Sequence, residues 1–157
     1  MKPYRIPTTP PSALSTGSDS VTAVSAGKIQ VPPNCDLTLG MRCVDKVTPG
    51  RSVWVMTADE RFENPAGVTQ GGFLAAFADS AMGAAAVTFV QGRKVFVANA
   101  EMKISFLKSV GPGTVITCTA EVVSGGSRVA FLEATITDSD ERTVARISST
   151  YLLRDRK

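Results

Sequence analysis

Regular alternation of apolar and polar residues is the clearest pattern in the second half of the chain. From Lys94 to Leu107 the even positions are apolar and the later odd positions are polar, which predicts a long strand with one packed face. The side chains expected on that face are Phe96, Ala98, Ala100, Met102, Ile104 and Phe106. Apolar runs between turn residues predict five more strands, at 37–47, 51–58, 114–123, 127–138 and 143–153. Because strands joined by tight turns run in opposite directions, we expect an antiparallel sheet.

Residues 71–89 follow a different pattern. They are almost uniformly apolar and rich in Ala and Gly, which predicts a helix whose sheet-facing stripe is Leu74, Phe77, Ala81, Ala84 and Thr88. A helix of this length could also cross a membrane, but a central Asp costs about 2.5–3.5 kcal/mol on insertion scales. We therefore expect the buried helix of a soluble domain, with no membrane contact. The predicted fold class is α+β, a curved antiparallel sheet wrapped around one long central helix.

The opposite face of this helix carries Asp79 among small side chains and lacks Lys, Glu and Gln. The other members of the face are Gly72, Ala75, Ala76, Met82, Gly83 and Ala86. A solvated helix face is normally rich in charged residues, so we expect a neighbouring subunit or a bound ligand to approach this one closely. Two interpretations of Asp79 stay open on this pattern alone. The carboxylate is either functional or merely hydrogen-bonded inside a subunit interface.

Residues 1–33 are rich in Pro, Ser, Thr and Gly and show no periodicity. Such a composition is typical of a disordered or loosely attached arm. A single domain is expected over residues 34–157, because the length and the hydrophobic fraction of 43% suit one globular unit. No apolar run follows the first basic residues, so no secretory signal is predicted.

The composition narrows the chemistry that the chain could carry out. The net charge is only +3 and the basic residues are scattered, so we expect no nucleic-acid partner. The chain has no His, and its three cysteines form no close-spaced pair, which argues against a zinc site and a disulfide framework. Reduced thiols are typical of the cytoplasm, which is the expected location. We expect neither a metal nor a cofactor.

A glycine pair, Gly71-Gly72, opens the predicted helix. Bare backbone N–H groups at a helix N-terminus can bind an oxyanion. A carboxylate two turns further along, Asp79, could act as a base or a nucleophile. This combination indicates acyl-transfer chemistry that does not use a histidine.

The run NPAGVTQGGFLAAFADSAMG, which begins at Asn64, resembles the signature of the hotdog-fold acyl-CoA thioesterases, and in particular the PaaI-like group of the phenylacetic acid pathway. That signature has an Asn, then His-Gly-Gly six residues later, then an Asp nine residues beyond the His. The spacing of Asn64, Gly71, Gly72 and Asp79 fits it. Residues 99–108, NAEMKISFLK, look like the family's long central strand, and the resemblance covers most of the domain.

The resemblance implies a role for each matching residue. Asp79 would act as general base on water or as nucleophile on the thioester carbonyl, the backbone N–H of Gly71 would receive the thioester oxygen, and Asn64 would position water or substrate. Asn99 stands where a polar residue of the long strand often completes the site across a dimer interface. Gln70 belongs to the same implied catalytic group. The implied substrate-binding residues are Gly72, Phe73, Met82 and Asn99.

Gln70 departs from the family pattern, which has His at this position. Its amide can still donate a hydrogen bond, but it cannot carry a proton near neutral pH. Three functions therefore stay open. The first is a thioesterase that hydrolyses an acyl-CoA to the free acid and coenzyme A. The second is a non-catalytic hotdog module that binds an acyl thioester or another apolar ligand. The third, a dehydratase or hydratase on the same fold, fits poorly because those enzymes usually pair His with an acid.

An isolated protomer would leave the small-residue helix face uncovered. We therefore expect a homodimer at least, with pairs of dimers forming a homotetramer. The expected ligand is an acyl-CoA. A pocket lined by Phe73, Phe77, Met82 and Phe106 would suit an aromatic or medium-chain acyl group.

Overall fold

The computed structural model of the chain describes residues 31–155. Its regular elements are helix α1 (Asn34–Leu39), strands β1 (Arg42–Asp45) and β2 (Arg51–Thr57), a 3-10 turn (Glu60–Phe62), helix α2 (Gly71–Phe89), and strands β3 (Val95–Phe106), β4 (Val115–Gly125), β5 (Val129–Asp138) and β6 (Thr143–Asp155).

The six strands form one antiparallel sheet in the order β1-β2-β4-β5-β6-β3. The last three strands pair in sequence, β4 with β5 and β5 with β6, as consecutive antiparallel neighbours. β3 pairs with β6 along its whole length and forms one edge of the sheet. Within the described residues, its outer side therefore has no strand partner. The predicted curved antiparallel sheet around one long helix is confirmed.

Helix α2 forms the centre of the core and packs against β2, β3, β4 and β5. Seven of its residues are buried, namely Leu74, Phe77, Ala78, Ala81, Met82, Ala85 and Ala86. Most of these side chains are small, so the strands approach the helix backbone closely. The buried Ser52 hydroxyl on β2, for example, donates to the Ala81 carbonyl at 2.7 Å. By length and mean hydropathy α2 could also cross a membrane, a test that core helices pass too.

The buried face of α2 is broader than the predicted stripe. Ala84 and Thr88 are only half-buried, whereas Met82 and Ala86, which the sequence placed on the open face, lie in the core. The physical reason is that the sheet curves around the helix and covers more than one stripe of side chains. The open face keeps Asp79 among small or exposed neighbours.

The side-chain alternation along β3 reverses in the middle of the strand. Its register against β6 shifts between Asn99 and Glu101, as a β-bulge produces, so one residue is added at this point. The prediction that Phe96, Ala98 and Ala100 face the core is therefore wrong. Phe96 is 52% exposed, and Asn99 faces α2 instead.

The segment before β1 is helical where the sequence predicted a strand from residue 37. Helix α1 ends at Gly40, whose φ of 64° lets its N–H reach the carbonyls of Asp36 and Leu37. The Ser80 hydroxyl donates to the Asp36 carboxylate at 2.9 Å and so connects α1 to α2. Almost all of the predicted arm, residues 1–30, lies outside the described residues.

A buried carboxylate, Asp138, ties the end of β5 to the segment after β3. It accepts hydrogen bonds from the side chains of Lys108 and Arg142 and from the backbone N–H groups of Asp140 and Arg142. The Lys108 ammonium is the main reason that the pKa of this carboxyl is held well below its ordinary value, and the bonds from residues 140 and 142 add to the effect.

We predict that Asp138→Asn lowers the free energy of unfolding at pH 7. Because the folded pKa is lower than the unfolded one, the carboxylate stabilises the fold above about pH 4, and this contribution is lost as the pH falls toward the folded pKa. Urea denaturation of the variant and the native protein should therefore give curves that differ at pH 7 and converge in acid.

Asp140→Asn is the matched control for this experiment. Its carboxylate pairs with Arg142 at the exposed surface, so its loss should change stability little at either pH. An equal effect of the two substitutions at pH 7 would contradict the role assigned to Asp138.

Candidate functional site

A cavity of about 650 Å³ opens at the N-terminus of α2. Three segments build its wall: the loop before the helix, the first turn of the helix, and the end of β3 with the residues that follow. The lining residues are Asn64, Val68, Thr69, Gln70, Gly71, Gly72, Leu74, Ala75, Phe106, Leu107, Lys108, Ser109 and Val110. The cavity therefore combines apolar walls with amide groups at the start of a helix.

The loop before the helix is held by a tight turn at Asn64. The Asn64 side-chain oxygen accepts from the N–H of Ala66 at 2.9 Å, and its backbone N–H donates to the Val68 carbonyl at 2.8 Å. Gly67 takes a φ of 74°, which suits a glycine. Because the Asn64 oxygen holds the turn, its amide nitrogen remains as a donor at the cavity wall, with no hydrogen bond to the described residues.

The first turn of α2 presents its backbone N–H groups without a side-chain cap. Gln70 is the N-cap residue, its side chain is exposed, and no acidic side chain lies in the first turn. The Phe73 N–H donates to the Gln70 carbonyl at 2.9 Å, whereas the N–H groups of Gly71 and Gly72 have no hydrogen-bond partner among the described residues, and the helix dipole makes this end attractive to an anion. The start of the helix is fixed by bonds from the N–H of Thr69 to Val110 and from the N–H of Gln70 to Phe62.

A close contact with Phe106 leaves no room for a side chain at Gly71 unless the Phe106 ring moves. A Cβ atom on Gly71 would lie 2.8 Å from the tip of the Phe106 ring. At Gly72 no atom of residues 31–155 lies within 4 Å of such a Cβ. The ring of Phe106 therefore forms the cavity wall directly beside the Gly71 amide.

The Asp79 carboxylate lies outside this cavity, on the open face of α2. Its Oδ1 atom accepts from the Asn99 amide nitrogen at 2.6 Å and from the Tyr151 hydroxyl at 3.0 Å. Tyr151 is buried, and its burial, followed by the nearby charge of Asp79, raises the pKa of Tyr151 well above its ordinary value. The Ser149 hydroxyl lies within hydrogen-bond distance of Asn99 Oδ1, at 2.8 Å, and of the Glu101 carbonyl, at 2.7 Å.

The amide of Gly71 and the carboxylate of Asp79 are not brought together within one protomer. Eight residues separate them, which is about 12 Å along the helix axis and about 80° around it. The predicted catalytic residues thus form two groups. Asn64, Gln70 and Gly71 line the cavity, whereas Asp79 and Asn99 form a hydrogen-bonded pair on the open face of the helix.

The structure separates the predicted substrate-binding residues in the same way. Gly72 lines the cavity, and so does Phe106. Phe73 stacks on Phe62, with ring centroids 4.2 Å apart, and is not part of the cavity wall. Phe77 and Met82 are wholly buried in the core and expose no surface to a ligand, so the expectation that they line a pocket is wrong.

Tyr151 and Ser149 were not predicted as site residues from the sequence. Both occupy inward positions of β6, among the apolar residues Ile147 and Leu153. A polar Ser at an inward position of an otherwise apolar series was the available signal. Among the described residues there is no group of three or more His, Cys, Asp or Glu side chains placed to bind a metal. Burial raises the pKa of the Cys118 thiol to about 12, so this cysteine is not a nucleophile.

Comparisons with known proteins agree with this architecture. Residues 66–145 match the model of the thioesterase superfamily. The fold is similar to that of the E. coli PaaI protein from the phenylacetic acid degradation operon, with a TM-score of 0.72 and 24% identity over 78% of this chain and 85% of that one. It is also similar to AziG of S. sahachiroi, with a TM-score of 0.72 and 22% identity over 76% of this chain and 95% of that one.

A third similar structure is a hypothetical thioesterase of Streptococcus pneumoniae solved with coenzyme A. Its TM-score is 0.67, with 20% identity over 74% of this chain and 88% of that one. A search of curated proteins finds no match. At these identities the structural similarities establish the fold.

We predict that Gly71→Ala is less stable than Gly72→Ala by about 1 kcal/mol, the lower end of the usual cost of overpacking. Both substitutions bring the same gain in helix propensity, so the difference isolates the contact with Phe106. Thermal unfolding of the two variants side by side measures it. Equal melting temperatures would show that Phe106 does not press on the start of the helix.

Proposed function

This chain belongs to the thioesterase superfamily, and we propose that it hydrolyses an acyl-CoA thioester to the free acid and coenzyme A. The observation that carries the proposal is the hydrogen bonding of the Asp79 carboxylate. Two donors hold one carboxylate oxygen, and the other has no hydrogen-bond partner among the described residues. The coenzyme A in the S. pneumoniae structure supports the choice of leaving group.

In the proposed reaction, Asp79 acts as general base on water or as nucleophile on the carbonyl carbon. In the first route, water adds to the carbonyl while its proton passes to the carboxylate. The oxyanion is then bound by the N–H of Gly71, strengthened by the dipole of α2. The C–S bond breaks and coenzyme A leaves as a thiolate, which does not require a strong general acid. Gln70 and Asn64 contribute amide donors that orient the reacting groups.

The cavity favours a neutral, apolar acyl group. Leu74, Phe106 and Val110 supply apolar wall. Among the described residues that line the wall, Lys108 is the one cation, and it is already paired with the buried Asp138 carboxylate. An acyl chain that ends in a carboxylate would find no unpaired cation there, so we propose an aromatic or medium-chain substrate.

The site that we propose is shared between two copies of the chain. A reacting carbonyl must lie about 3–3.5 Å from both the attacking atom and the oxyanion donor. Gly71 and Asp79 of one protomer are too far apart for this, so the cavity of one protomer receives Asp79 from its partner. The unpaired outer side of β3 and the small residues around Asp79 offer the surface for such a homodimer.

We propose further that two dimers associate into a homotetramer. Support comes from apolar side chains exposed on the outer face of the sheet, Phe96, Phe131 and Leu152, which neighbouring strands place close together.

A panel of acyl-CoAs, assayed for thiol release, tests the proposed reaction. We expect turnover of aromatic and medium-chain substrates, and we expect Asp79→Asn to lower kcat at least about 10²–10³-fold, the cost of losing one oxyanion donor in other enzymes. Glu133→Gln, which removes an exposed carboxylate of β5, should keep native activity. Near-native hydrolysis by the Asp79 variant would rule this mechanism out.

Gln70 favours one alternative, a module that binds an acyl thioester without hydrolysing it. The same panel distinguishes the two functions when the native protein is compared with Gln70→His. Binding without thiol release by the native protein, together with turnover by the His variant, would establish the alternative.

Mixing two inactive variants tests whether the site is shared. Asp79→Asn keeps the cavity, and Asn64→Asp keeps the acceptor of the turn but removes the amide donor. A mixed dimer has one intact site, so random exchange should restore about a quarter of native activity. If the mixture stays as inactive as its components after subunit exchange has been demonstrated, each site lies within a single protomer.

A further inference from the structure

The hydroxyl of Tyr151 lies beside the carboxylate of Asp79, the proposed base, on the side that faces the sheet. Tyr151 is on β6, opposite Asn99 in the β3–β6 ladder, and only 2% of it is exposed. Its oxygen is 3.0 Å from Oδ1 of Asp79 and 3.2 Å from the backbone carbonyl of the same residue. At Gly83, one turn further along α2, an added Cβ would be 3.9 Å from this hydroxyl. The tyrosine therefore fills the space between the sheet and the helix at this point.

Both hydrogen bonds to the carboxylate go to the same oxygen. The Asn99 amide nitrogen and the Tyr151 hydroxyl each donate to Oδ1, and no group among the described residues donates to Oδ2. Two donors from different side chains fix the rotation of the carboxyl group about its bond to Cβ. Oδ2 is then the oxygen available to water or to a carbonyl carbon.

The Asp79 carboxylate sets the orientation of the Asn99 amide, and Ser149 lies beside the other end of that amide. A carboxylate only accepts hydrogen bonds, so the Asn99 nitrogen must face Asp79 and the Asn99 oxygen must face Ser149. The Ser149 hydroxyl can donate to that oxygen at 2.8 Å. It is itself buried and also lies 2.7 Å from the Glu101 carbonyl, so its single proton has two acceptors within reach. The register shift in β3 turns Asn99 toward the helix and so brings its amide between Ser149 and Asp79.

We propose that Tyr151 is a positioning residue for Asp79, acting together with the Ser149–Asn99 pair to hold Oδ2 in the reactive direction. This inference rests on the proposed function, because it assigns Asp79 as the reacting carboxylate. The elevated pKa of Tyr151 supports it, because the phenol stays protonated and keeps donating its hydrogen bond. Tyr151 itself does not contact the substrate.

Tyr151→Phe tests the proposal because it removes the hydroxyl and keeps the ring. We expect kcat to fall about 10- to 100-fold, because a reacting group that is misplaced by up to about 1 Å reacts that much more slowly. KM should change less than about twofold. A tyrosine that only stabilised the fold would lower the melting temperature and leave kcat unchanged.

Ser52→Ala is the matched control. It also removes a buried hydroxyl that donates to a backbone carbonyl of α2, at Ala81, two residues beyond Asp79. It should lower the melting temperature and leave kcat within about twofold of the native value. A kcat loss in the Ser52 variant equal to that in the Tyr151 variant would overturn the positioning role, since it would mean that any weakening of the helix contact slows the reaction.

Ser149→Ala provides a second test if the Tyr151 variant does not fold. It should also lower kcat while changing KM little, because the Asn99 oxygen loses its hydroxyl partner and the amide is then held from the Asp79 side alone. Native kcat in either folded variant would overturn the inference.

A structural measurement separates this inference from the proposed function. Crystal structures of the native protein and of Tyr151→Phe should show the Asp79 carboxylate in one conformation and in several, respectively. If the native protein releases no thiol from any acyl-CoA, the proposed function fails, and the crystal structures still decide the positioning role. An identical Asp79 conformation in both structures would refute it.

Discussion

The burial of helix α2 in the concave face of the sheet is the constraint on which the rest of the structure depends. Most of the buried helix residues are alanines, so the strands can approach the helix backbone, and the hydroxyl of Ser52 reaches the Ala81 carbonyl. The same packing sets the first turn of the helix against Phe106 and sets Asp79 above Tyr151. The positions of both groups of candidate residues therefore follow from one packing arrangement.

The division of these residues into two groups gives the helix two tasks. Its first turn supplies backbone donors to a cavity whose other walls come from the loop at Asn64 and the end of β3. Its third turn supplies a carboxylate that is oriented by hydrogen bonds from Asn99 and Tyr151 of the sheet. In the proposed assembly each copy of the helix would serve two reaction centres, one with its first turn and one with its middle. Stability, assembly and chemistry would then be coupled through a single element.

Much of this could be predicted from the sequence, because local patterns carry the information. The Ala-rich run predicted α2 with its observed bounds, and the turn residues predicted the hairpins of the second half. The glycine pair predicted the donors at the start of the helix, and the resemblance to the thioesterase signature implied that Asn64 and Gln70 join Gly71 within one loop and one helical turn. Such spacing is preserved in the fold because few backbone angles separate these residues.

The errors arose where long-range pairing decides the outcome. The prediction counted alternate residues and so assumed a constant register, which placed Phe96 inside and Asn99 outside. The extra residue in β3 reverses both positions. The curvature of the sheet buried Met82, which a 100° projection had put on the open face. Which helix residue Tyr151 would meet depends on how β6 crosses α2, and no local pattern encodes that crossing.

The extra residue near Ala100 has a consequence for how this strand can vary. Upstream of it, the odd positions face the helix, and downstream the even ones do. Removing one residue there would bring the methyl group of Ala98 to the place where the Asn99 amide now meets the carboxylate, because it would exchange the inner and outer sets of the first half of the strand. No point substitution has that effect. The number of residues in β3 thus determines whether a polar or an apolar side chain lies beside Asp79.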